Sequence, residues 1–320
     1  MAKEINLDSN SNSGNEKKIN FREEATIPSS FNPSSHSNSI ENMDHNIGLS
    51  QEEVSDPNNI VVSVSDPSPV VVLFGAGSSG KTMTLVRLTR YLKSLKLKVE
   101  PDRTFRPSES EHYRKMCNDF HSVINDSYAP DRTRVLNFML VKVMDNNGNP
   151  LCQILEAPGE HYFNLSTPNA PFPTYINAIT QLPNRKVWIF IVEKDWKNIT
   201  DRRNYANKIR EMQSIIDPSD HVIFACHKAD MHPELIRNGI PNEKRFFKDI
   251  ENQYPDIFNN YTNSNPISRL WKTYNFEFIV FSAGTFNPTT DKRQVFTQGK
   301  DIYPEKLWIA IKKGLTGSWF

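Results

Sequence analysis

The sequence predicts an α/β fold in which a mostly parallel sheet of six strands, one of them antiparallel, lies between two layers of helices. Two observations support this prediction. Short apolar runs alternate along the chain with amphipathic helical patterns, which is typical of strands joined by helical crossovers. One tight link, MDNNGNP at 144–150, contains Asn-Asn-Gly and predicts a hairpin, so the strands that flank it are expected to be antiparallel neighbours.

The individual elements follow from the length and period of each apolar pattern. Leu85, Leu88, Leu92 and Leu95 recur at helical spacing after the first run and predict a helix there. Further helices are predicted over 111–124, 202–216, 243–254 and 305–315. The predicted strands are the runs 70–74, 135–143, 151–157, 187–192, 221–226 and 276–282.

The first 67 residues differ in composition from the rest of the chain. Ser, Asn, Glu and Pro dominate them, and the aromatic residues there are Phe21 and Phe31. Such a segment cannot bury enough apolar surface to offset the entropy of the chain. The sequence therefore predicts a disordered tail over 1–67 and a folded domain over 68–320.

Charge, cysteine content and hydropathy exclude several classes of protein. The formal net charge of +1 gives no field for binding nucleic acid or an anionic membrane. The apolar run at 187–192 is far too short to span a bilayer, and no signal peptide or lipid anchor motif is present. Cys117, Cys152 and Cys226 are too widely spaced for a disulfide framework or a metal site, which predicts reduced cysteines and a cytoplasmic protein.

The most specific motif is GAGSSGKT at 75–82, which fits G-x-x-x-x-G-K-[ST]. It lies between a predicted strand and a predicted helix, where glycines let the backbone wrap a phosphate and the N–H groups point inward. In such a loop the lysine reaches the terminal phosphates and the Thr hydroxyl binds Mg²⁺. The motif predicts a three-layer P-loop NTPase fold, with phosphate bound by Gly75, Gly77, Ser78, Ser79, Gly80, Lys81 and Thr82.

Three later segments resemble motifs of the Ras-like small GTPases and the related translation-factor GTPases. LEAPGEHYF at 155–163 resembles their D-x-x-G-Q-E-R-F switch segment, ACHKAD at 225–230 resembles N-K-x-D, and FSAG at 281–284 resembles S-A-K. The segments occur in the family's order, each at the carboxyl end of a predicted strand, where ligands bind in open α/β sheets. The resemblance covers about residues 70–315.

The resemblance implies roles for residues around the phosphates. Glu156 stands at the family's Mg²⁺-binding Asp, Gly159 at its γ-phosphate glycine, and Glu160 at its catalytic Gln. Thr133 stands where the family has a threonine that closes on Mg²⁺ and γ-phosphate. A helical insertion is expected at about 99–130, and Arg132 after it could act as an internal arginine finger, as in heterotrimeric G-protein α-subunits. For both Thr133 and Arg132, a solvated loop residue without such a role is the alternative.

The resemblance also implies that the base is guanine. The carboxylate of Asp230 can accept from the ring N–H and the exocyclic amine of guanine together, a pair that adenine does not offer. The stem of Lys228 can lie over the base, and the Ala283 N–H, next to Ser282, can donate to guanine O6. His227 stands where the family has the Asn that braces the base and the P-loop.

Three departures from the family pattern, at Glu156, Glu160 and His227, predict slow hydrolysis. The expected protein binds GTP and GDP with Mg²⁺ and acts as a switch that an effector or regulator protein recognises. Two alternatives stay open: a P-loop ATPase or small-molecule kinase, and a non-catalytic pseudo-GTPase scaffold. Pairing of two copies into a homodimer is also left open by the sequence.

Overall fold

A computed structural model of the chain describes residues 48–126, 136, 138–263, 273–288 and 294–316. Within these residues a seven-stranded sheet forms the centre of the fold. Every strand runs parallel to the others except the second in the spatial order, which is antiparallel to both neighbours. The order across the sheet is β2 (Lys98–Pro101), β3 (Met139–Met144), β4 (Pro150–Glu156), β1 (Val70–Phe74), β5 (Lys186–Glu193), β6 (His221–His227) and β9 (Glu277–Val280).

The prediction of one antiparallel strand is confirmed, but the prediction of six strands is wrong because it omits β2. This strand has four residues, lies at the edge of the sheet and buries only Val99, so its pattern is too short to identify. The predicted helical insertion at 99–130 is helical only in part of its described residues. Residues 99–101 belong to β2, and the helix α3 begins at Glu111 and ends at Asn125.

Two short hairpins outside the sheet were not predicted either. One joins β7 (Ile236–Arg237) to β8 (Ile240–Pro241), and the other joins β10 (Gly284–Pro288) to β11 (Gln294–Gln298). The second hairpin begins directly after the FSAG segment. Along the chain, this hairpin therefore lies between the last strand of the sheet and the last helix.

Side chains on alternating positions of β5 show that helices cover both faces of the sheet. Val187 contacts Gly314 of the last helix on one face. On the other face, Phe190 packs against Phe74, which contacts Tyr205 of a helix further along the chain. The three-layer P-loop NTPase fold is thus confirmed. The remaining helices are α1 (Gln51–Ser55), α2 (Lys81–Ser94), α4 (Gly159–Tyr162), α5 (Thr174–Thr180), α6 (Ile199–Ile215), α7 (Glu243–Gln253) and α8 (Ile302–Thr316).

The packed chain begins earlier than the predicted boundary at residue 68. Residues 1–47 lie outside the described part, but 48–67 contain α1 and bury Leu49 and Ile60 in the core. Glu53 of α1 closes a capping box with Ser50 and forms a salt bridge with the buried Arg106. Apolar composition alone misses this segment because much of what holds it is polar: besides the ion pair, the Gln153 and Asn184 amides donate to Asp66 O.

Cys117, Cys152 and Cys226 are all free and buried, and burial raises the pKa of each thiol. Among the described helices, none has the combined length and apolar character needed to cross a bilayer.

Candidate functional site

The GAGSSGKT segment forms a compact loop between β1 and α2. β1 ends at Phe74 and α2 begins at Lys81, so the loop lies at the carboxyl end of the central strand. Its last residue, Gly80, has φ of +96°, which a side chain would strain, and an added Cβ would lie 2.9 Å from His227 Nδ1. The first N–H groups of α2 have no partner within the helix, and such groups at the end of a glycine-rich loop are suited to binding a phosphate.

Lys81 is buried beneath this loop. Its ammonium group donates to the carbonyl oxygens of Gly75 and Ala76, at 3.0 Å each. Burial lowers the pKa of Lys81, and the charges of Glu156, Glu160 and Glu193 oppose that shift. The lysine is thus held by its own loop, with three carboxylates around it.

Thr82 and Glu156 meet beside Lys81 and fit a magnesium site. The Thr82 hydroxyl donates to Glu156 Oε1 at 2.6 Å, and Glu156 is almost fully buried at the end of β4. Its Oε2 atom is buried without a hydrogen-bond partner, and burial raises the pKa of this carboxyl. Within the described residues no group of three or more His, Cys, Asp or Glu side chains could hold a metal. One carboxylate and one hydroxyl match the sparse protein coordination that Mg²⁺ has beside phosphates.

Gly159 and Glu160, at the start of α4, lie directly on the P-loop. A Cβ on Gly159 would lie 2.2 Å from the Gly77 nitrogen, so only glycine allows this approach. Glu160 Oε1 lies 2.5 Å from the point that a Cβ of Gly77 would occupy. The side chain of Glu160 is otherwise exposed to solvent. These contacts show that Gly159 and Glu160, two of the predicted switch residues, lie at the phosphate loop.

His227 joins the HKAD segment to the P-loop. Its Nε2 lies 3.2 Å from the Thr84 hydroxyl on α2, its Nδ1 faces Gly80, and its ring stacks on Phe281 at 4.9 Å. Burial and the charges of Lys228 and Lys81 lower the pKa of His227 to about 3, so the imidazole is neutral at pH 7. The contact between the two motifs is therefore made by this ring.

The other predicted base-recognition residues lie together next to His227. The Ser282 hydroxyl donates to Asp230 Oδ1 at 2.6 Å, which orients the carboxylate. Lys228 has φ of 57° and its ammonium lies 2.7 Å from Glu193 Oε2. Ala283, half-buried, accepts a hydrogen bond from the Gly299 N–H at 3.0 Å. An open cavity of about 190 Å³ borders Asp230 and Ser282 and is also lined by residues of the β10–β11 hairpin.

Three residues that contact the site were not identified from the sequence. Glu193, the last residue of β5, pairs with Lys228, and Thr84 contacts His227. Arg87, fully buried on α2, donates to Gly299 O at 3.0 Å and to Asp301 Oδ1 at 2.5 Å. Of these three residues, only Glu193 could have been suggested by the sequence, because it lies at the carboxyl end of a strand. Arg132 and Thr133 lie outside the described residues.

Comparison with known proteins gives matches to solved structures alone. No protein-family model matches the chain, and no curated protein matches it. Nucleolar GTP-binding protein 1 of Plasmodium falciparum is 14% identical, with a TM-score of 0.37, over 80% of this chain and 91% of that one. A signal recognition particle receptor SRb-GTP/SRX complex from Chaetomium thermophilum is 14% identical, with a TM-score of 0.38, over 77% and 99%.

The GTPase-like domain of Saccharomyces cerevisiae Ski7, bound to GTP, is similar at a comparable level. It is 12% identical, with a TM-score of 0.35, over 73% of this chain and 45% of that one. TM-scores and identities this low carry no argument about function. The three-layer P-loop NTPase fold therefore rests on the strand order and the loop geometry of this chain.

The buried His227 makes a testable contribution to the pH dependence of stability. Its pKa of about 3 in the folded state lies below the ordinary 6.5, so the folded protein binds fewer protons, and stability falls as the pH drops below 6.5. At pH 4.5 the loss is about 3 kcal/mol of unfolding free energy, from 1.36 kcal/mol per pKa unit.

We expect His227→Asn to flatten the pH dependence measured by urea unfolding at pH 7 and pH 4.5. Burial and the charge of Lys81 lower the pKa of His161 to about 4, so some dependence remains. His112→Asn, at an exposed position on α3, controls for loss of an imidazole. A His227→Asn profile that matches the wild-type profile would show that the ring is not neutral and buried in solution.

Proposed function

We propose that this protein binds GTP and GDP with Mg²⁺ and acts as a slow, nucleotide-dependent switch. One observation carries the proposal: His227 contacts the phosphate loop at Gly80, and Asp230, three residues later, presents a carboxylate held by Ser282. This connection between the P-loop and the Asp230 segment supports a single mononucleotide that reaches from the loop to Asp230. The likeness of the three motifs to those of GTPases supports the same conclusion.

Base selection rests on Asp230. A carboxylate that already accepts from Ser282 keeps its free lone pairs for the ring N–H and the amine of guanine. Adenine has an acceptor in place of that ring N–H and would leave the carboxylate unpaired, which is costly. The Ala283 N–H is proposed to donate to guanine O6, and the Lys228 stem to lie on the base.

Phosphate binding rests on the loop amides and Lys81. The ammonium group would exchange the carbonyls of Gly75 and Ala76 for phosphate oxygens, which are stronger, charged acceptors. Thr82 and the unpaired Glu156 Oε2 would hold Mg²⁺, which neutralises phosphate charge when bound. Thr133 is proposed as a further metal ligand.

The proposed switch consists of the segments around Thr133 and Gly159, which an effector or regulator protein would recognise. Glu160 stands in the position of the water-orienting residue, and its negative charge beside a polyphosphate supports slow hydrolysis. Arg132 is proposed as an internal arginine finger. The three buried, free thiols support a reducing, cytoplasmic location.

A non-catalytic GTP-binding scaffold is the second candidate. It is favoured by the position of Glu160 against Gly77, because a carboxylate there does not position water as an amide does. Single-turnover hydrolysis separates the two candidates. Phosphate release by wild type that is lost with Lys81→Ala supports the switch, and no release by either protein supports the scaffold.

The melting temperature with GDP, GTP and ATP, each with Mg²⁺ and with EDTA, tests the proposal. Ligands that bind only the folded state raise the melting temperature, and at equal concentration the tighter ligand raises it more. We expect GDP and GTP to stabilise the protein, ATP to have no effect, and EDTA to reduce the shift. Stabilisation by ATP without stabilisation by GTP would replace the proposal with an ATPase or kinase.

A further inference from the structure

Glu160 occupies part of the phosphate site from its position on α4. The side chain extends from a four-residue helix whose first residue, Gly159, is pressed against the backbone of Ala76 and Gly77. The close packing of Gly159 against the loop backbone holds the adjacent Glu160 over the loop. Its Oε1 atom comes within 2.5 Å of the point where a Cβ of Gly77 would lie.

The amide groups of this loop and the Lys81 ammonium are the groups that a polyphosphate needs. In a P-loop the amides cradle the inner phosphates and the lysine reaches the outer ones. Here Lys81 is turned to two carbonyls of its own loop, and the charge of Glu160 raises the pKa of Lys81 against the effect of burial. The negative charge of Glu160 therefore already acts on the Lys81 ammonium group.

A terminal phosphate would bring negative charge to the same place. In such a loop the inner phosphates lie along the amides and the lysine reaches the outermost phosphate. Glu160 reaches the loop at Gly77 and its charge acts on Lys81, so an outermost phosphate at the lysine must either displace Glu160 or face it. Like charges at close range weaken binding in a recognition site.

We propose that Glu160 acts as a selectivity residue, which takes the place of the terminal phosphate and makes a nucleoside diphosphate the preferred ligand. This inference rests on the proposed function, since it concerns the same site. A triphosphate binds only when Glu160 leaves Gly77. Movement of α4 therefore accompanies triphosphate binding, and a partner that holds α4 away from the loop would promote it.

Isothermal titration with GDP and with the β,γ-imido analogue of GTP, both with Mg²⁺, tests the proposal. The variant is Glu160→Gln, which keeps the shape and removes the charge. The control is Glu111→Gln, in the first turn of α3, where the side chain is 84% exposed. Glu160 is also exposed, so neither change should affect folding, which the melting temperature checks.

We expect wild type to bind GDP at least about 10-fold more tightly than the triphosphate analogue, from the cost of facing like charges. Glu160→Gln should tighten binding of the analogue about 10-fold and leave GDP within about twofold, whereas Glu111→Gln changes neither. An affinity ratio that is the same in wild type and Glu160→Gln overturns the inference and leaves the proposed function intact. If wild type binds neither nucleotide, the proposed function fails and the inference fails with it.

Discussion

Replacing Lys81 with Met lowers the affinity of the protein for GDP and GTP by at least about 100-fold. Met keeps most of the buried volume and removes the only Lys side chain that donates into the loop in the described residues. Charge-assisted hydrogen bonds to phosphate are worth about 1.5–3 kcal/mol each, and 1.4 kcal/mol is a tenfold change in affinity. The loss is expected to be similar for both nucleotides because the lysine contacts phosphates and not the base.

The effect of Lys81→Met on folding should be smaller than its effect on binding. The carbonyls of Gly75 and Ala76 lose a donor, and Glu156, whose pKa burial already raises, loses a nearby positive charge and becomes neutral instead. Lys93→Met, at an exposed position on the same helix, is the matched control. Fluorescence titration measures both, and a Lys81→Met protein that binds GDP like wild type would remove the P-loop from the account.

Replacing Asp230 with Asn lowers the affinity for GDP by about 100-fold and removes the preference for guanine. The Asn carbonyl can still accept from Ser282, so the local fold is kept. Its amide N–H₂ group then faces the N–H and the amine of guanine, so donors meet donors, and a charge-assisted pair worth about 1.5–3 kcal/mol is lost. Xanthine carries a carbonyl in place of the amine, so xanthosine diphosphate should bind the variant more tightly than GDP does.

Titration of wild type and Asp230→Asn with GDP and xanthosine diphosphate measures this change in selectivity. Asp119→Asn is the matched control, because this residue is exposed on α3 and belongs to none of the four motifs. Equal losses for both nucleotides would mean that Asp230 acts on stability alone. An unchanged GDP affinity would mean that the base lies elsewhere.

The sheet and the P-loop could be predicted because local patterns determine them. Five apolar residues, a glycine-rich turn and a periodic helix follow one another within 70–94, and the structure has β1 and α2 there. The edge strand β2 could not be predicted, since a four-residue strand with one buried side chain has no period to detect. The β10–β11 hairpin was missed because, among its described side chains, Phe296 alone is buried, which leaves no alternating pattern to detect.

Contacts within the site were less predictable than the motifs. That His227 can replace an amide as a brace depends on the stacking with Phe281 and the distance to Thr84, and both are set by the pairing of β6 with its neighbours. The position of Glu160 against Gly77 depends on how closely Gly159 approaches the loop. Such distances are properties of the folded chain, so the sequence could identify the residues without their arrangement.

A crystal structure of the complex with GDP tests the central claim most directly. The account predicts that the β-phosphate lies on the amides of residues 75–82 with Lys81 Nζ in contact, while the guanine N–H and amine both lie about 2.7–3.2 Å from the Asp230 carboxylate. Density for the base away from Asp230, or for the phosphates outside the loop, would contradict it.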